Sequence, residues 1–241
     1  MAKVLVIGDS CRDVFIYGKC TRMCPDAPVP VFLPIKKRSN GGMASNVAAN
    51  LKKLGVECDL ICNAEKVEKT RYIDEKTNHM FLRVDSNEEN IQRITDLNKS
   101  LIERYDLIVI SDYDKGFLSD EDIDFICSEH DNVFIDTKKI LGEWYKKAKF
   151  IKINEKEYNR TKLTVTTNSN LIVTLGDKGC LFGDEVFPVK KVEVKDMSGA
   201  GDTFLAGLVY EYLNTGDISK AITFANNCAT NVVQRRGVNV V

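Results

Sequence analysis

Asp196-Met197-Ser198-Gly199-Ala200-Gly201-Asp202-Thr203-Phe204 is the stretch that decides how this chain is read. Ser198 to Gly201 are all small, and beyond them Phe204, Leu205, Leu208, Val209 and Tyr212 recur on one face at helical spacing until Gly216 stops the pattern. A small-residue turn running straight into an amphipathic helix leaves bare backbone N–H groups at the positive end of the helix dipole. The stretch therefore predicts an anion site whose amides belong to Gly199, Ala200 and Gly201. Asp202 adds a carboxylate in the same first turn, placed to take the proton of a hydroxyl that attacks a phosphoryl group held by those amides. The plainer alternative, that Ser198 or Asp202 only caps the helix, is left open by these residues alone.

Outward from this turn, strands and helices alternate. Val4 to Ile7, Leu107 to Ile110, Val133 to Ile135, Phe150 to Ile153 and Leu171 to Leu175 are short continuous apolar runs, as expected of strands buried on both faces. Ala44, Val47, Ala48, Leu51 and Leu54 form one helical stripe ending at Gly55, and Ile218, Ala221, Ile222, Ala225 and Val232 form another with Asp217 as its N-cap. The pattern predicts an α/β fold, a mainly parallel sheet covered on both sides, with ligands gathering at the C-terminal ends of the strands. Two segments fall outside it. Residues 27–35 carry three prolines, and Met80 to Val84 alternates with Arg83, so these two are expected to pair as a small edge sheet. The polar segment from Asn63 to Thr70 reads as a loop.

Composition narrows the function classes. The 241 residues hold 34 Lys and Arg against 35 Asp and Glu, a net charge of −1, so no global basic field favours nucleic acid or an anionic membrane. No apolar run approaches the length of a membrane span, and an acidic residue follows too soon for a signal peptide, which predicts a cytoplasmic protein. Its eight cysteines contain no Cys-x-x-Cys. Cys20 with Cys24 and Cys58 with Cys62 lie in different surroundings, far from His79 and His130, so reduced thiols are expected and not zinc. A Walker-type loop is absent, and the only Gly-x-Gly, at Gly199 to Gly201, lacks the third glycine of the dinucleotide fingerprint.

The run Gly199 to Phe204 resembles the C-terminal signature of the ribokinase-like (PfkB) carbohydrate kinases, in which the aspartate, here Asp202, is the catalytic base and the preceding amides form the anion hole. Gly41-Gly42-Met43-Ala44-Ser45-Asn46 resembles the family's N-terminal signature, which implies that Gly41, Gly42 and Asn46 contact the sugar, with Asp13, five residues past Gly8, as a ligand of its hydroxyls. The chemistry agrees, since hydroxyls need fixed donors and acceptors and glycines let a ring approach the backbone. Asn154-Glu155-Lys156-Glu157 resembles the Asn-x-x-Glu motif tied to Mg²⁺ and the ATP phosphates, Glu157 acting through water, although the same spacing also makes a capping box. Thr174, Gly176 and Gly179, in a strand-turn-strand segment, resemble the adenine-nucleotide loop, and Asn227 matches a residue that borders the adenine.

These motifs span nearly the whole chain in the family's order. They imply a single domain over residues 1–241, a three-layer α/β/α sandwich with a small β lid at about 14–37 and 78–85, and a homodimer formed through that lid. One branch fits best, the heptose-7-phosphate kinases. Cys24 to Val31, Lys69-Thr70-Arg71, Leu82 to Asp85 and Ser111 to Gly116 are similar to its motifs, while the connections between Cys62 and Lys69 and before Leu171 look shortened. Arg71, Arg83 and Lys115 are the candidates for holding a substrate phosphate. The implied reaction carries the γ-phosphoryl of ATP to the anomeric hydroxyl of D-glycero-D-manno-heptose 7-phosphate, giving the 1,7-bisphosphate. The alternatives are a kinase of another sugar or sugar phosphate, or a non-catalytic sugar- or nucleotide-binding subunit. With Val241 as the last residue, a second, nucleotidyl-transferring activity is expected to be absent. Tyr113 and Trp144 read as packing residues, with the substrate wall as the alternative.

Overall fold

The computed structural model describes residues 2–161, 170–235, 237, 240 and 241. The apolar run at the N-terminus forms β1 (Lys3–Gly8), and two long strands follow, β2 (Ser10–Met23) and β3 (Pro30–Met43), before α1 (Ala44–Lys53). Next come β4 (Glu57–Cys62), β5 (Glu68–Asp74), β6 (Met80–Ser86) and the short α2 (Lys99–Ile102). The main sheet resumes with β7 (Leu107–Asp112), α3 (Asp120–Glu129), β8 (Val133–Thr137), β9 (Phe150–Asn154), α4 (Glu155–Thr161) and β10 (Leu171–Thr174). A hairpin of β11 (Cys180–Phe182) and β12 (Glu185–Phe187) precedes α5 (Ala200–Thr215) and α6 (Ile218–Val233).

Eight strands form the main sheet in the order β12-β11-β10-β9-β8-β7-β1-β4, parallel from β4 to β10 and antiparallel through the last hairpin. Alternate residues of β1 divide the core. Val4 and Val6 pack under α1, α5 and α6 with Val47, Leu51, Leu205 and Ile222, whereas Leu5 and Ile7 face Ile123, Ile126, Trp144 and Tyr145 on the other side. This is the expected three-layer α/β/α sandwich. Trp144 is core, as its packing reading has it. No helix among the described residues is long and apolar enough to cross a membrane.

The segments expected to form a lid belong to a separate four-stranded sheet ordered β3-β2-β5-β6, broader than residues 14–37 and 78–85 and called the lid sheet below. The segments 27–35 and 80–84 are not partners: residues 30–35 lie in β3 and 80–84 in β6, at opposite edges, with β2 and β5 between them. Residues 68–70, read as the end of a loop, already belong to β5, because Glu68 to Thr70 pair with Arg12 to Val14 on one side and with Val84 to Ser86 on the other. Lys69, polar yet buried in this strand, is accommodated by its ion pair with Glu88. Gly8 and Ser111 are register partners in the main sheet, and a Cβ on Gly8 would lie 1.9 Å from the Ser111 carbonyl oxygen, so only glycine lets β1 turn here into the lid.

Candidate active site

The C-terminal ends of β1, β7, β8, β9 and β10 lie along one edge of the parallel sheet, and the first turn of α5 meets that edge where Gly201 stands beside Lys152. Gly199 stands at the N-cap of α5 with φ 78°, in the left-handed region, and no side chain caps the helix. Asp202 therefore does not cap. Its carboxylate, 3% exposed, accepts from Asn46 Nδ2 and from the Tyr113 hydroxyl, each at 2.8 Å. Ala200 N–H closes a turn onto the Met197 carbonyl at 3.2 Å, while the Gly199, Gly201 and Asp202 amides have no backbone acceptor among the described residues. Burial drives the Asp202 carboxyl up to about 6, with Asn46 and Tyr113 holding it back from rising further.

Beside this group lies a chain of charges. Lys152 and Asp136, register partners on β9 and β8, form a buried ion pair at 2.7 Å. A Cβ on Gly201 would stand 2.9 Å from Lys152 Nζ, so glycine at that position lets the first turn of α5 sit directly on this cation. Lys138 Nζ pairs with Glu157 Oε1 at 2.7 Å, lies 3.7 Å from Asp136 Oδ1 and stands over the Tyr113 ring, 5.2 Å from its centroid. Burial alone would raise Asp136, but Lys152 and Lys138 more than offset it and hold the carboxyl below the usual range. Burial would likewise lower Lys138, and Asp136 and Glu157 reverse that. Sequence reasoning missed Asp136, Lys138 and Lys152. A lone lysine inside the apolar run Phe150 to Ile153 was the available signal, since a lysine buried in a strand needs a partner.

Asn154 and Glu157 form the full reciprocal capping box of α4: Glu157 Oε2 accepts from Asn154 N–H at 2.7 Å, and Glu157 N–H donates to Asn154 Oδ1 at 2.9 Å. Asn154 Nδ2 also donates to Glu157 Oε1, leaving that carboxylate at the mouth of β9 next to Lys138. Thr174 is the register partner of Asn154, and its hydroxyl donates to the Ile153 carbonyl at 3.3 Å. Gly176 and Gly179 hold φ of 63° and 96° in the turn after it, and a Cβ at 179 would meet the Phe187 carbonyl oxygen at 1.9 Å. Asn227 is exposed on α6. Its neighbour Asn226 is the buried one, and it donates to the Phe187 carbonyl at 3.0 Å, tying α6 to that hairpin.

On the lid side, Asp13 is buried and accepts from Arg71 Nη1 at 2.5 Å, and the Arg71 guanidinium stands 5.1 Å over the Phe15 ring. A Cβ on Gly42 would lie 2.2 Å from Asp13 Oδ2, and one on Gly41 2.7 Å from Ser45 Cβ, so the glycine pair gives Asp13 and the start of α1 their places. Glu88 gathers Lys69 at 2.7 Å and Lys115 at 2.6 Å, while Arg83 makes a two-pronged pair with Asp85 at 2.7 and 2.6 Å. Lys69, Arg71, Arg83 and Lys115 are thus each paired with a carboxylate.

A family model described as pfkB family carbohydrate kinase matches residues 64–240. The chain is 31% identical to the bifunctional protein HldE of a Nitratiruptor species, over 98% of this chain and 62% of that protein. It thus spans less than two thirds of that relative's length, and the 289 aligned positions exceed this chain's 241 residues, in keeping with shortened connections. Two solved structures share the fold. One is the Methanocaldococcus jannaschii nucleoside kinase, described as an archaeal member of the ribokinase family (TM-score 0.71, 20% identity, 99% of this chain and 93% of that one). The other is an Arabidopsis thaliana ribokinase complexed with ribose and ATP (TM-score 0.69, 15% identity, 98% and 94%).

Proposed function

The chain belongs to the pfkB family of carbohydrate kinases, and from that membership we propose that it phosphorylates the anomeric hydroxyl of a heptose 7-phosphate with ATP, giving the 1,7-bisphosphate. The observation that carries the chemistry is Asp202, a carboxylate enclosed in the first turn of α5 whose hydrogen-bond partners are both uncharged, which leaves it free to accept a proton. The sugar hydroxyl gives its proton to Asp202 and its oxygen attacks the γ-phosphorus. The bond from that phosphorus to the bridging oxygen breaks, its electron pair leaving with ADP. The free amides of Gly199 and Gly201, with Lys152 beneath them, meet the charge that develops on the phosphoryl oxygens.

Asn154, Glu157, Thr174, Gly176 and Gly179 line the strand ends on the ATP side. Among the described residues no group of three or more His, Cys, Asp or Glu could cage a metal alone. Glu157, whose carboxylate accepts from Asn154 and pairs with Lys138, would hold through water a Mg²⁺ that arrives on ATP, and such an ion would supply positive charge against the phosphates. Asp13, Gly41, Gly42 and Asn46 serve the sugar. Arg71, Arg83, Lys69 and Lys115 would exchange their carboxylate partners for the terminal phosphate, which favours a phosphorylated substrate, as does the similarity to HldE. A coupled assay of ADP release over a panel of sugars and sugar phosphates tests this. The heptose 7-phosphate should be the best acceptor, with Asp202→Ala losing at least about a thousandfold in kcat. Full activity in that variant would remove Asp202 as the base, and a better acceptor elsewhere in the panel would replace the heptose.

The lid leaves Leu33, Ile35, Met80, Phe81, Leu82 and Val84 exposed, an apolar surface of the sort proteins cover. The proposal therefore includes a homodimer joined lid to lid. A monomeric mass by sedimentation at micromolar concentration would remove it.

A further inference from the structure

We propose that Tyr113 is a positioning residue of the phosphoryl transfer, its hydroxyl fixing and keeping ionised the carboxylate that takes the substrate proton. This rests on the reading of Asp202 as the base. An ionised carboxylate only accepts, so at 2.8 Å the Tyr113 hydroxyl must donate to Asp202 Oδ1, as Asn46 Nδ2 donates to Oδ2. One bond to each oxygen sets the plane of the carboxylate. The remaining lone pairs are left for a substrate hydroxyl.

Tyr113 is itself held from three sides. It follows the last residue of β7, and its N–H donates to Asp9 Oδ2 at 2.7 Å, a fully buried carboxylate that also accepts from the Lys115 and Phe117 amides. Asp114, next in the chain, has φ 56°, so the loop bends sharply where the ring turns inward. The ring packs on Cys11, Met43 and Val67 beneath the Lys138 ammonium. Nothing in the packing of the ring requires its hydroxyl, because the enclosed oxygen's partner is the base. A phenylalanine would fill the same space.

The charged and titratable groups around the pair are known from each element. Asp136 and Lys138 come from β8 and the residue just past it, Lys152 from β9, Cys11 from β2, and Asp9 and Asp112 from the ends of β1 and β7. Asp136 is held low, Lys138 is held high, and burial pushes the Cys11 thiol up to about 12. Burial also raises Asp9, and lifts Asp112 to about 6, so a residue-resolved measurement is needed alongside kinetics.

The test compares wild type, Tyr113→Phe and Asp202→Ala in the full chain. The pH dependence of kcat/KM for the best sugar acceptor and the ¹³C carboxyl titration of Asp202 without substrate are both read. Losing a donor to the ionised form raises the carboxyl pKa, so in Tyr113→Phe the acidic limb and the Asp202 titration move to higher pH, and kcat/KM above the limb falls about ten- to a hundredfold. The KM for ATP stays within about twofold, because the ring remains in place. An Asp202 titration left where it is in wild type overturns the proposal whatever the rate, and so does a kcat/KM within twofold of wild type. Activity retained by Asp202→Ala would instead overturn the base. An inactive Asp202→Ala beside an unaltered Tyr113→Phe removes Tyr113 alone.

Discussion

Asp136 and Asp202 are enclosed in the same site, 2% and 3% exposed, yet the two halves of that site treat a carboxylate in opposite ways. On the side proposed for ATP, Asp136 meets Lys152 and Lys138, and its charge is fixed. On the side proposed for the sugar, Asp202 meets an amide and a phenol, and burial pushes its carboxyl up to about 6. Ion pairs hold a buried charge in place. Neutral donors leave a group able to change its charge during the reaction. The difference is one of partners, since the burial is the same.

The strongest way to break the comparison is to take the cation from Asp136. Lys152→Met leaves a buried carboxylate with only Lys138, 3.7 Å away, in compensation, and should cost about 3–5 kcal/mol of stability in denaturant unfolding. It also bares the underside of Gly201, so phosphoryl transfer should fall with it. The double variant Asp136→Leu, Lys152→Met removes both charges and should recover most of the stability, though not the activity. A single substitution costing under about 1 kcal/mol would mean the pair is not fixing charge in the way described.

The difference between the halves also sets what could be read in the sequence. The turn of Gly199 to Gly201 and the capping box of Asn154 and Glu157 are local, so spacing alone reveals them. The Asp136–Lys152 pair exists only because β8 and β9 align in one register, and Tyr113 reaches Asp202 from a loop 89 positions away. Asp202 read alone was as good a helix cap as a base, and the distinction required Asn46 and Tyr113 in space. The main sheet was legible because strands buried on both faces are continuous apolar runs. The lid was legible only as an exception. β2, with Arg12, Asp13 and Lys19 along it, follows neither period, because it is paired on both sides and its polar residues face the site or solvent. α3 offers only Ile123, Ile126 and Cys127 as buried apolar positions behind an acidic first turn, too few to stand out.

The sugar-side half can be sharpened by asking what its chemistry costs the fold. The Asp202 carboxyl titrates near 6 in the folded protein against 3.8 in an ordinary setting, so the folded state holds that proton more tightly. Its favourable contribution is complete below 3.8 and lost as pH rises through 6, so at neutral pH the ionised carboxylate weighs against folding by up to about 3 kcal/mol. Asp202→Asn removes the charge and keeps both hydrogen bonds, its carbonyl accepting from Asn46 and its amide donating to the Tyr113 oxygen. At pH 8 this variant should be about 1–3 kcal/mol more stable than wild type while losing the activity. The gain should shrink as pH falls from 6 toward 4, where wild type is itself protonated. A gain independent of pH would trace to packing instead of charge, and a loss of stability at pH 8 would mean that the carboxylate is held by more than two neutral donors.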